Sequence, residues 1–153
     1  MRKIKPPSPQ FLTTVCLSLT MLSVQSWADA VSGTNGSIEI TPLIHSSVQL
    51  EYDGFVVQVD PWAAIDISHA KTADLILVTD SPGHHLDANA IANLSDSNTS
   101  VVIAQNGLSQ LPNAVVAKNG ELLRVSGVTV EAIAAYDIIL GAPEHPKGDA
   151  NGY

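Results

Sequence analysis

The chain of 153 residues is nearly without cysteine. Its single thiol, Cys16, lies in the first apolar run, and the residues before it, Thr13, Thr14 and Val15, are not the small ones that precede a lipid-attachment cysteine. No intramolecular disulfide is possible, and past residue 30 there is no thiolate to ligate a metal or act as nucleophile. Basic residues are also few. Beyond residue 30 only Lys71, Lys118, Arg124 and Lys147 face fourteen acids, a net of −10. Four scattered cations cannot displace many phosphate counterions, so a nucleic-acid partner is excluded as an expectation. No apolar run reaches the ~20 residues that span a bilayer. Internal repeats and low-complexity tracts are missing as well.

What the N-terminus does have is Arg2, Lys3 and Lys5, a short apolar stretch from Phe11 to Val24, and Ala28-Asp29-Ala30. A positive start, an apolar centre and an A-x-A site are the parts of a secretory signal. The alternative, a membrane anchor, is opposed by Thr13, Thr14, Ser18 and Thr20, which dilute the run. The expectation is a signal peptide over residues 1–30, an exported protein, periplasmic or secreted, and no membrane span after cleavage. Residues 31–37 are small and polar and read as a flexible mature N-terminus; the domain proper runs over 38–153.

From Ile38 the pattern becomes β. Val48, Leu50 and Tyr52 alternate with polar residues, Asp53-Gly54 follows, and Phe55, Val57 and Val59 alternate again. A two-residue Asp-Gly loop between alternating runs predicts a hairpin in which Tyr52 meets Phe55, Leu50 meets Val57 and Val48 meets Val59. Pro61 ends the second strand. Ala73 to Thr79 is almost continuously apolar and predicts a strand buried on both faces. It runs into Asp80-Ser81-Pro82-Gly83-His84-His85, and then a short helix for which Asp87 is the cap and Leu86 and Ile91 the staple. Val101–Ala104, Leu122–Val125 and Val128–Ala135 read as further strands. Residues 141–153, with two prolines and three glycines, read as loop. Strands with an interleaved helix predict an α/β fold.

His84 and His85 sit at the carboxyl end of a buried strand, where α/β proteins place ligands. Imidazole and carboxylate are ligands for zinc and similar ions, and a tight turn aims Asp80, His84 and His85 inward together. The bland alternative is a solvated histidine pair. His45 reads as a strand end with a weak claim on substrate, His69 as surface, Asp60 as a turn cap, Trp62 as packed against the loop and Tyr136 as core.

The stretch Leu75 to Asp87 resembles the H-x-H-x-D-H metal loop of the metallo-β-lactamase superfamily, in its branch of lactonase-like and uncharacterised metallo-hydrolases. His45 to Gly54 with Val59-Asp60-Pro61-Trp62, Val130 to Asp137, and His145 to Tyr153 resemble other blocks of that branch, in order. The resemblance implies an α/β, metallo-β-lactamase-like αβ/βα sandwich, apparently truncated to its first half. It implies Asp80, His84, His85 and His145 as metal ligands, with one or two zinc or other divalent ions. It also implies a hydrolase attacking a carbonyl or phosphoryl centre of a small-molecule substrate. The motif is degenerate: Asp80 stands for the first histidine, Pro82 for the second and His84 for the aspartate. The alternative reading is a non-catalytic pseudo-hydrolase that binds a metal ion or ligand, or a gene fragment. An uncovered sheet edge predicts a homodimer.

Overall fold

The computed structural model describes residues 28–153. The expected signal peptide lies almost wholly outside the described residues. Among those described, no helix is long and apolar enough to cross a membrane.

Seven strands form one mixed sheet in sequence order: β1 (Asp29–Gly33), β2 (Gly36–Ile44), β3 (Ser47–Tyr52), β4 (Phe55–Val59), β5 (Leu75–Val78), β6 (Ser100–Ala104) and β7 (Val115–Ala117). The first four pair antiparallel and the last four parallel. The Asp-Gly hairpin forms in the expected register, Tyr52 opposite Phe55, Leu50 opposite Val57 and Val48 opposite Val59. Asp53 at φ 50 and Gly54 at φ 79 supply the two positive torsions a type I′ turn demands.

β5 explains the layering. Side chains alternate across a strand, so Ile76 and Val78 face one side and Leu75 and Leu77 the other. On the first side they pack with Leu86, Ile91 and Ile103, beneath helix α1 (Ala88–Asn93). Asp87 caps that helix, its Oδ1 accepting from the amides of Asn89 and Ala90 at 2.9 and 3.2 Å. On the second side Leu75 and Leu77 meet Val102, Ala117, Val130 and Ala132. Val130 belongs to a hairpin of β8 (Leu122–Val125) and β9 (Val128–Glu131), turned at Ser126-Gly127, and Ala132 follows directly after it.

Several expectations need correction. Residues 31–37, read as flexible, belong to the β1–β2 hairpin: Val31 pairs with Ile38 and Gly33 with Gly36. All of β1 is exposed, so backbone pairing rather than burial forms it, and no apolar alternation announces it. Ala30, the expected cleavage point, lies within β1 opposite Glu39. The segment Val128–Ala135 is not one strand. It breaks at Ala132, and β10 (Ile133–Ala135) pairs instead with β11 (Ala150–Gly152), inside the tail read as loop. β7 is too short to carry a periodic signal.

Candidate functional site

The parallel strands end on one rim. β4 delivers Asp60 and Pro61, and β5 delivers Thr79 and Asp80 before the turn that holds His84 and His85. The tail returns against this rim, where the Asn151 amide donates to the Thr79 carbonyl at 2.9 Å. The tail thereby brings in His145. A cavity of about 260 Å³ opens here, and Asp80, His85, Tyr136, Asp137 and His145 are among its lining residues.

Two carboxylate–imidazole pairs shape the site. Asp60, 1% exposed, accepts three hydrogen bonds, from the Thr79 amide at 2.7 Å, Thr79 Oγ1 at 2.6 Å and His85 Nδ1 at 2.8 Å. A carboxylate only accepts, so Nδ1 carries the proton of this hydrogen bond, and Nε2 is the ring nitrogen directed away from Asp60. Asp80 forms the second pair, its Oδ2 accepting from His145 Nδ1 at 2.7 Å. Its Oδ1 accepts from the Ser81 amide at 2.8 Å and from the side-chain amide of Asn106. Burial pushes the Asp80 carboxyl upward, but the hydrogen bonds from Asn106, Ser81 and His145 outweigh it and hold it below the ordinary value of 3.8. His145 is fixed in turn by Asp137, whose Oδ2 accepts the His145 amide at 3.1 Å and whose own amide donates to the His145 carbonyl at 3.0 Å.

Of the four expected ligands, three line this cavity: Asp80, His85 and His145. His84 does not line it, although its ring centre is 4.4 Å from that of His85. Its ring packs 4.9 Å from His45 and 6.2 Å from Trp62, centre to centre. Trp62 therefore packs against the loop as expected, and His69 is exposed as expected. Tyr136 is not a core residue; it is 43% exposed, lines the cavity and lies under the Lys147 ammonium. Asp60 is more than a turn cap. Its pairing with His85 spans 25 residues of sequence, and no local spacing signals it. Nor does any local pattern mark Thr79, whose amide and hydroxyl both donate to Asp60.

Imidazole nitrogen and carboxylate oxygen are donors that zinc and related ions take, and a carboxylate on the far nitrogen of a ligating histidine is the usual support. In kind, the donors around the cavity fit such an ion. As the side chains stand, however, Asp80 is satisfied by its protein partners. Among the described residues no three His, Cys, Asp or Glu side chains are grouped as a metal site.

Residues 39–153 match the beta-lactamase superfamily domain. The chain belongs to the metallo-β-lactamase superfamily. A candidate metal-dependent hydrolase from Parabacteroides distasonis is 32% identical and superposes with a TM-score of 0.75, over 83% of this chain and 60% of that one. The metallo hydrolase Igni18 from the archaeon Ignicoccus hospitalis shares the fold at 18% identity, with a TM-score of 0.56 over 75% of this chain and 54% of its own. This superfamily member thus spans little more than half the length of these two structures. No curated protein matches it.

Proposed function

We propose that this superfamily member is an exported metal-dependent hydrolase acting on a small molecule, with zinc as its metal. The observation that carries the reading is the pair of dyads, Asp60–His85 and Asp80–His145, bordering one cavity at the carboxyl end of the parallel strands. Of the expected ligands His85 and His145 would present Nε2 to the ion, and Asp80 would join them only in place of its present bond to His145. Once bound, it would supply Lewis acidity and an activated water for attack on a carbonyl or phosphoryl centre. The chain's own residues do the positioning. Asp60 locks the tautomer of His85 and keeps Nε2 directed away from its own carboxylate. Asp80 does the same for His145. Asp137 fixes the backbone from which His145 hangs.

A second reading is favoured by two observations, Pro82 at a position where the superfamily motif has histidine and the lack of a three-donor group among the described residues. In it the site binds a metal or small ligand without turnover. One experiment separates the two. Purified protein is loaded with zinc, assayed for metal by elemental analysis, and tested on lactone, lactam, thioester and phosphodiester substrates, with Asp80→Asn and His145→Ala beside it. Hydrolysis that both variants abolish supports the enzyme. Bound zinc with no turnover supports the binding module. Zinc retained undiminished by both variants would remove the cavity as its site.

A further inference from the structure

We infer that Asn106 is the positioning residue of the Asp80–His145 pair, holding the Asp80 carboxylate so that Oδ2 stays on the imidazole. The inference rests on the hydrolase reading only where it concerns zinc; the hold on the carboxylate needs no metal.

β6 runs parallel to β5 and ends in a single 3-10 turn, Gln105–Gly107. The Asn106 side-chain amide donates to Asp80 Oδ1 across 26 residues of sequence. The other donor to that oxygen, the Ser81 amide at 2.8 Å, belongs to the adjoining residue and moves with Asp80. Asn106 is therefore what ties the carboxylate to the neighbouring strand. With Oδ1 held, the carboxylate torsion is set, and Oδ2 meets His145 Nδ1 at 2.7 Å.

The turn that carries Asn106 is itself fixed. Gly107 is buried, and a Cβ there would stand 2.8 Å from Leu86 Cδ1, so glycine lets the turn close onto the residue after His85. Gln110, three residues on, donates to the Ser81 carbonyl at 2.8 Å. The direction of the Asn106 amide is set as well, because a carboxylate only accepts and the NH2 end must face Asp80. That leaves Asn106 Oδ1 buried and, among the described residues, without a donor. Such an acceptor counts against the folded state. Folding alone gives no reason for an amide here; a hold on Asp80 does.

The test reads His145 by nitrogen NMR in the metal-free chain, and zinc affinity by competition with a chelator, in Asn106→Leu, Asn106→Ala and Gln110→Ala. Asn106→Leu keeps the approximate shape and deletes the donor. In the parent chain, neutral His145 should be predominantly the Nδ1–H form. Both Asn106 variants should give a tautomer mixture and weaken zinc binding about tenfold or more, the size expected when a partner that orients a ligand is removed. Gln110→Ala loosens the same segment, but its lost bond goes to the Ser81 carbonyl and not to Asp80. It should keep the parent tautomer and bind zinc within about twofold. If the Asn106 variants melt earlier yet keep the parent His145 spectrum, the amide is structural and the inference falls. It falls as well if Gln110→Ala matches them. Where Asn106→Leu does not fold, Asn106→Ala decides. A parent chain that takes up no zinc removes the hydrolase reading, and the His145 spectrum still decides for Asn106.

Discussion

His85 donates from Nδ1 to the carboxylate of Asp60 at 2.8 Å, across 25 residues of sequence and from one strand end to the loop beyond its neighbour. The same carboxylate receives the amide and hydroxyl of Thr79, so one buried anion fixes strand end and imidazole together.

Asp60→Ala removes an acceptor shared by three donors, and should cost about 3 kcal/mol in urea unfolding. Asp60→Asn should cost less and free the tautomer. Nitrogen NMR of His85 should show one dominant Nδ1–H form in the parent chain and a mixture in Asp60→Asn.

Asp80 contributes to the acid limb of stability. Its folded carboxyl is held below 3.8, so the folded state binds fewer protons than the unfolded one just below that value. The stabilisation is complete above 3.8 and disappears as pH falls through the lower folded value. Asp80→Asn should lower the urea midpoint at pH 6. It should also flatten the loss of stability below pH 3.8.

Tyr153 contributes to the opposite limb. Burial pushes its phenol up to about 12, against a hydrogen bond from Asn151 that works the other way. The folded state keeps the proton that the unfolded state loses at 10, so this contribution is present below pH 10 and lost between 10 and 12. Absorbance at alkaline pH should show one tyrosine titrating late. Tyr153→Phe, which leaves the Val78 carbonyl without its 3.0 Å donor, should cost about 1–2 kcal/mol at neutral pH.

The Asp53-Gly54 turn makes a clean backbone test. No atom lies within 4 Å of a Cβ placed on Gly54, yet φ is +79. Gly54→Val should therefore destabilise by about 1–2 kcal/mol through torsion alone. Gly83 has equal room and no positive φ. Gly83→Ala should be neutral or stabilising by up to about 1 kcal/mol. Thermal melts of the two variants check the contrast.

What was legible in the sequence was local. Asp53-Gly54 announced its hairpin because only a few residue pairs accept two positive torsions, and Leu75–Val78 announced a buried strand because no polar residue interrupts it. Asp87 announced its helix by its place before Ala88. The site was legible as far as one turn reaches, from Asp80 to His85. What failed was whatever depends on distant partners. Asp60 looked like a cap because its partner is 25 residues away. His84 packs beside His85 and His45, at 4.4 and 4.9 Å between ring centres, and does not line the cavity that Asp80 lines. β1 and β11 form through backbone pairing without an apolar pattern of their own.

Asp137 gathers the amides of Glu144 and His145 on one carboxylate oxygen, at 2.9 and 3.1 Å. The chain between them is a closed loop whose tip, Ile138, Ile139 and Leu140, is 91%, 62% and 103% exposed. Length and composition at that tip are thus uncoupled from the placement of the histidine at its base. Exchange or insertion of sequence at that tip is therefore expected to leave the imidazole in place, as long as Asp137 keeps both amides.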